Sequence, residues 1–142
     1  MDAIVSWSQA HAAVVHFPIA LTFFALGCAA TAWARWLHPT RIPLQAATDY
    51  SLWGAALGSL PAVLSGLYLT HGELIGHGTL RQHHQFGWPA FALLVGMALW
   101  RALQPPPATR ETQRNYLLVL GLLAGLMAAT GHWGGRLALA SP

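Results

Sequence analysis

The sequence predicts an all-α integral membrane protein, a bundle of four transmembrane helices that run up-down-up-down. Two observations carry this prediction. Only 8% of the 142 residues are charged and 55% are hydrophobic, whereas an ordinary soluble domain carries about 25% charged residues. The few charges also separate four uncharged stretches, each long enough for the roughly 20 residues that a spanning helix needs.

Charged residues and chain breaks bound the spans. Proline-rich segments follow the first span, at 38–43, and the third, at 105–107, while a glycine- and histidine-rich segment, 72–78, separates the second from the third. We therefore predict a single transmembrane domain over 1–142, with helices at about 8–36, 49–71, 82–103 and 114–135. Short connections make successive helices antiparallel neighbours. Asp2 stands where a secretory signal carries basic residues, so the first span is predicted to be a retained helix.

The distribution of arginine predicts the orientation. In the predicted topology Arg81 and Arg136 lie on one side of the membrane, and five arginines lie on the other: Arg35, Arg41, Arg101, Arg110 and Arg114. The positive-inside rule places the five-arginine side in the cytoplasm, so both termini are predicted to face the periplasm of a bacterial inner membrane. Arginines at span ends indicate contact with the lipid bilayer and no role in nucleic-acid binding.

Two features predict helix packing. Gly54 with Gly58 and Gly121 with Gly125 form small-xxx-small patterns, which let helix backbones approach closely in lipid. The alternative is that glycine is simply common in membrane helices. Cys28 lies in an apolar run, where a cysteine is typically a small buried hydrophobe.

Eight histidines occur in this apolar chain, and the topology places seven of them at one level, on the outer side. Histidine is costly within a membrane unless it pairs, lines a polar cavity or binds a metal, and imidazole is a frequent ligand of metals and haem iron. The candidates, roughly one per helix, are His16, His71, His83 or His84, and His132. The alternative is that such histidines sit among headgroups and bind water. His11, His38 and His77 are interpreted as surface residues.

The surroundings of this layer favour a bulky planar ligand. Arg81 and Arg136 lie at the outer boundary, where a guanidinium could pair with haem propionates or extend to lipid phosphates. Pro18 could kink the first helix and aim His16 inward, or could mark the first helical turn. Glycines could leave room for a macrocycle between aromatic walls: Gly66, Gly87, Gly131, Gly134 and Gly135, with Phe17, Phe86, Trp88 and Trp133.

Three motifs resemble those of an uncharacterised bacterial family of four-helix membrane proteins, whose relatives occur beside planctomycete-type cytochrome c modules. The segments are His16-Phe17-Pro18-Ile19-Ala20-Leu21, the His-x-x-x-Gly of His83 to Gly87, and the Gly-His-x-Gly-Gly of Gly131 to Gly135. The resemblance favours His83 over His84. It implies an association with membrane redox proteins and a b-type haem. The chain departs from it after Gly135, where relatives often continue with Thr-His-Gly.

These observations predict a b-type haem-binding membrane subunit or small membrane cytochrome. It would carry electrons between a quinol and a periplasmic redox partner, such as a cytochrome c or a larger respiratory complex. His16 with His83, on diagonal helices, is the favoured axial pair; His71 with His132 is the other diagonal. The alternatives are a histidine-based copper or zinc protein and a cofactor-free anchor subunit. No motif indicates independent catalysis, and the carboxylates of Asp49 and Glu73 are interpreted as solvated groups at helix ends.

Overall fold

The computed structural model describes residues 7–104 and 109–140, and over these ranges the protein is all-α. Four helices follow one another: α1 (Trp7–Ala34), α2 (Arg41–Leu69), α3 (Gly78–Leu103) and α4 (Arg110–Ala140). Each is long and apolar enough to cross a membrane. The predicted fold class, a four-helix membrane bundle, is confirmed. The predicted break at 105–107 lies outside the described residues.

Three helices are longer than predicted. α2 begins at Arg41 instead of about residue 49, and α3 begins at Gly78 instead of about residue 82. α4 begins at Arg110 instead of about residue 114 and continues to Ala140. The prediction ended each span at a charge because charges leave the hydrocarbon region. A helix that satisfies its own backbone hydrogen bonds continues through the interface, so the charged flanks belong to the helices.

Side-chain contacts establish that successive helices run antiparallel. His11 near the start of α1 meets Ser65 near the end of α2, and His83 near the start of α3 meets Thr130 near the end of α4. The helices pack in the circuit α1–α2–α3–α4, with α1 against α4 closing it. Accordingly α1 and α3 are diagonal, and so are α2 and α4.

Small residues let α1 pack closely. Its buried face contains Pro18, Thr22, Ala25, Ala29 and Ala32, which recur at the spacing of one helical face. Cys28 is buried beside them, as predicted. The larger side chains of the core come from the other three helices: Leu52, Leu94, Leu120 and Leu123.

The two predicted glycine patterns behave differently. A Cβ added at Gly54 would lie 3.1 Å from Leu21 of α1, so the Gly54–Gly58 face makes a helix contact as predicted. An added Cβ at Gly121 or Gly125 would meet nothing within 4 Å among the described residues. The prediction that Gly121 and Gly125 make a helix contact is wrong within this chain, because that face of α4 points outward.

The bundle has two chemically different ends. We call the end that holds the first turns of α1 and α3 and the last turns of α2 and α4 the histidine end. We call the opposite end, which holds the last turns of α1 and α3, the arginine end. Histidines cluster at the first, and five of the seven arginines belong to the second.

A buried ion pair lies within the arginine end. The Arg101 guanidinium donates from Nε and Nη2 to the two carboxylate oxygens of Asp49, at 2.8 and 2.6 Å. The Arg101 side chain is 3% exposed and that of Asp49 is 16% exposed. The interpretation of Asp49 as a solvated residue at a helix end is therefore wrong. It lies in the third turn of α2, where burial requires a partner.

Candidate functional site at the histidine end

His11 of α1 points into the bundle. Its ring is half-buried and Nδ1 lies 2.8 Å from the Ser65 hydroxyl oxygen of α2. That hydroxyl lies within hydrogen-bond distance of the Pro61 and Ala62 carbonyls, at 2.7 and 3.1 Å. When it donates its one hydrogen to either of them, the Nδ1–H of His11 is the donor between the two side chains. The lone pair of a neutral His11 is then on Nε2. The interpretation of His11 as a surface residue is wrong.

His83 of α3 has the same arrangement on the other side of the bundle. The ring is half-buried, and Nδ1–H donates to the Thr130 carbonyl of α4, at 3.0 Å. A carbonyl only accepts, so the neutral ring again carries its lone pair on Nε2. A hydrogen bond through one ring nitrogen is the usual way in which proteins orient a histidine whose other nitrogen binds a metal.

Each of these imidazoles packs against a glycine of the neighbouring helix. A Cβ added at Gly66 would lie 3.2 Å from the His11 ring, and one added at Gly134 would lie 3.2 Å from the His83 ring. Both distances are shorter than ordinary van der Waals contact. Gly66 and Gly134 therefore leave the space that the two rings occupy, and a larger residue at either position would displace the imidazole.

The two rings lie at the same end of the bundle. His11 and His83 come from the diagonal helices α1 and α3, and each ring contacts the helix that follows its own. Helix geometry accounts for the choice of His11. It lies seven residues before the buried Pro18, hence on the same face after about two turns, whereas His16 lies two residues before it and points about 160° away.

The structure does not bring the other predicted axial ligands to this pair. His16 is exposed, and its Nδ1–H donates to the Ala12 carbonyl of its own helix. His71 is exposed in the turn after α2 with a φ of 51°. His132 is exposed at the end of α4, edge-on to Trp133 with ring centroids 5.3 Å apart. Pro18 lies inside α1 and does not aim His16 inward.

His84 lies beside the pair. Its ring centroid is 5.8 Å from that of His83 and 6.1 Å from that of Trp88. The Trp88 indole donates to the Leu74 carbonyl at 2.7 Å, which ties α3 to the preceding turn. The buried Nδ1 of His84 has no hydrogen-bond partner among the described residues.

The predicted arginines lie at the rim. Arg81 and Arg136 are both exposed, and the Arg136 guanidinium lies over the Trp133 ring, 5.1 Å from its centroid. Phe17 is also exposed and packs toward Gly58 of α2. Within residues 7–104 and 109–140 no group of three or more potential metal ligands is assembled. What the site offers chemically is two oriented imidazoles with free lone pairs.

Comparison with known proteins assigns the family. A family model described as a predicted membrane protein, DUF2231, matches residues 8–141. The chain belongs to the DUF2231 family. Membership covers all four helices, so the histidine pair lies within the DUF2231 domain. Comparisons with curated proteins and with solved structures give no match. The predicted association with cytochrome c modules stays a prediction.

Proposed function

We propose that this DUF2231 protein is a membrane subunit that binds a b-type haem at the histidine end, where His11 and His83 would hold its iron. The observation that supports the proposal is their common geometry. Both rings come from diagonal helices, both use Nδ1–H to bind the neighbouring helix, and both keep a lone pair on Nε2. Two imidazoles are the ligand set of a six-coordinate haem b.

The residues around the pair fit such a role. Ser65 and the Thr130 carbonyl hold the tautomer and the direction of each ring, and partners of this kind tune a ligated metal as well as position it. Gly66 and Gly134 keep the rings against the helices. His84 and the rim arginines, Arg81 and Arg136, are candidates to pair with propionates. Bound haem would supply a one-electron couple at its iron.

The electron-carrying role rests on that cofactor. The donor would be a quinol in the bilayer, and the acceptor would be a periplasmic protein such as a cytochrome c or a larger respiratory complex. The protein's own part would be to orient the two imidazoles and to keep water from the bound group.

A visible spectrum of the purified protein in detergent tests the cofactor. We expect a sharp Soret band, with α and β bands after dithionite reduction. A colourless preparation with stoichiometric copper or zinc would favour a histidine metal site instead. A colourless and metal-free protein that is purified together with partner subunits would support a structural anchor and overturn the haem proposal.

Histidine variants test the ligands. We expect His11→Ala and His83→Ala to lose the reduced spectrum, because each removes one axial nitrogen. The matched control is His16→Ala, which removes an exposed ring of the same helix and should retain the spectrum. Equal haem content in all three variants would contradict the assignment, and loss in His16→Ala and His83→Ala but not in His11→Ala would favour the pair His16 with His83.

A further inference from the structure

A groove lies between α3 and α4 in the arginine half of the bundle, far from the histidine pair. Its volume is about 440 Å³, within the range of ligand pockets. The wall toward the bilayer centre is apolar and contains Leu93, Met97 and Val119. The space exists because Gly96 has no side chain: an added Cβ there would meet nothing within 4 Å among the described residues.

The opposite end of the groove is polar. Thr112 and Asn115 line it there, in the first two turns of α4, and Trp100 of α3 lies beside them at 40% exposure. Tryptophan at this level is typical of the boundary between hydrocarbon and headgroups. The groove thus changes from apolar to polar along about 10 Å of helix, from Leu93 to Trp100.

Positive charge lies at the polar end. Arg114 is exposed, follows Glu111 by one turn at 3.6 Å, and donates to the Asn115 side chain at 3.4 Å. An exposed pair of this kind is weak, so the Arg114 guanidinium remains able to bind an anion. Arg110, one turn earlier, lies over the Trp33 ring of α1 and so faces away from this groove. Basic residues beside a gap between transmembrane helices are typical of binding sites for anionic headgroups.

We propose that this groove binds one anionic phospholipid, with an acyl chain along Gly96 and the phosphate at Asn115 and Arg114. The apolar wall alone would accept any chain, and the charge at the mouth selects an anionic headgroup. The site is independent of the haem proposal, because its residues and the histidine pair lie in opposite halves of the bundle.

Native mass spectrometry of the full-length protein tests the site, with phosphatidylglycerol and phosphatidylcholine of equal chain length as probes. We expect one retained phosphatidylglycerol. Gly96→Leu should reduce its occupancy about tenfold, because the new side chain fills the groove. The matched control, Gly125→Leu, adds the same side chain to an equally open position on α4 outside the groove and should leave occupancy unchanged.

A charge variant distinguishes the contribution of the lipid headgroup to binding from that of the acyl chain. Arg114→Gln should weaken phosphatidylglycerol binding about fivefold, as expected for one arginine near an anionic surface, without changing phosphatidylcholine binding. Arg35→Gln, at the same end but on α1, is the control. Equal retention of the two lipids, equal effects of Gly96→Leu and Gly125→Leu, or preferential retention of an added quinone would each overturn the proposal.

Discussion

The two ends of the bundle differ in how their buried polar side chains find hydrogen-bond partners. At the arginine end, four polar side chains pair with each other: Arg101 donates to both carboxylate oxygens of Asp49, and the Gln45 amide donates to Gln113 across the α2–α4 diagonal at 3.0 Å. The buried Trp33 Nε1 and Tyr116 hydroxyl there have no hydrogen-bond partner among the described residues. At the histidine end, His11 and His83 lie on the α1–α3 diagonal, and each binds a neighbouring helix instead of the other ring.

This difference distinguishes the end whose polar groups stabilise the fold from the end whose polar groups are candidates for ligand binding. A buried polar group lowers the stability of the fold unless it finds a partner, and at the arginine end the groups of the diagonal satisfy one another. At the histidine end each ring satisfies one nitrogen and keeps the second. The arginine end is therefore expected to determine stability, and the histidine end to determine binding.

The largest effect is expected when the ion pair at the arginine end is broken. Asp49→Ala leaves the Arg101 charge buried without its carboxylate, which typically costs about 3–5 kcal/mol. The free energy of unfolding, measured by SDS titration in mixed micelles, checks the loss. Glu111→Ala is the control, because it removes the exposed partner of Arg114 and should cost about 0–1 kcal/mol.

A double substitution sharpens that result. Asp49→Leu combined with Arg101→Met removes both charges, and such replacements are often neutral or stabilising. The double variant should therefore recover most of the stability lost in Asp49→Ala. If it is as unstable as the single variant, the cost comes from lost packing and the ion pair is not its cause.

A smaller effect is expected from two adjacent glycines at the histidine end. Gly134→Ala places a Cβ 3.2 Å from the His83 ring, whereas Gly135→Ala meets nothing within 4 Å among the described residues. Overpacking typically costs about 1–3 kcal/mol, while both variants gain similar helix propensity. The first should thus be about 1–3 kcal/mol less stable than the second, by the same titration.

The same two glycine variants also test whether haem binding depends on the position of the His83 ring. Displacement of the His83 ring should lower the haem content of Gly134→Ala but leave that of Gly135→Ala unchanged. Equal stability and equal haem content in both variants would contradict the role of Gly134 in leaving space for the His83 ring.

The smallest effect is expected at Ser65. Ser65→Ala removes the acceptor of the His11 Nδ1–H and should cost about 0.5–1.5 kcal/mol. The sharper measurement is ¹⁵N NMR of the histidine rings, in which His11 should move from the Nδ1–H toward the Nε2–H tautomer. Ser65→Thr keeps the hydroxyl and should keep the tautomer; an unchanged His11 spectrum in Ser65→Ala would show that another group holds the ring.

The spans can be predicted from sequence because the rule that identifies them is one-dimensional. A run of apolar residues must be long enough to cross the bilayer, and its charged flanks mark the ends. The layer of histidines follows, because antiparallel helices bring the same ends together. The order of the residues along the chain therefore determines the level of each one along the membrane normal.

Rotation about each helix axis cannot be predicted in the same way. His11 and His16 occupy neighbouring levels, and only the packing of α1 decides which of them faces inward. One signal could have found His11: the stripe of small residues at Ala25, Ala29 and Ala32, extended back through Pro18, reaches it. Ser65 and the Thr130 carbonyl have no such signal, since a hydroxyl or a backbone oxygen in a membrane helix is common.

The ion pair of Asp49 and Arg101 escapes prediction for another reason. Each residue borders an uncharged run, and the predicted topology places both at the same end of adjacent helices. Opposite charges at one level of neighbouring helices are a usable signal. When each charge is interpreted only as the end of a span, the short distance between Asp49 and Arg101 is overlooked.

The histidine site has a consequence for biosynthesis. Its parts are spread over the whole chain: His11 enters the membrane with the first helix, Ser65 with the second, His83 with the third, and the carbonyl that orients His83 belongs to Thr130 of the last. A chain that emerges from the ribosome in this order has no complete site until its fourth helix is in place. Capture of the proposed ligand between His11 and His83 would therefore follow insertion of the fourth helix, and it would fasten the helical hairpin made first to the one made last.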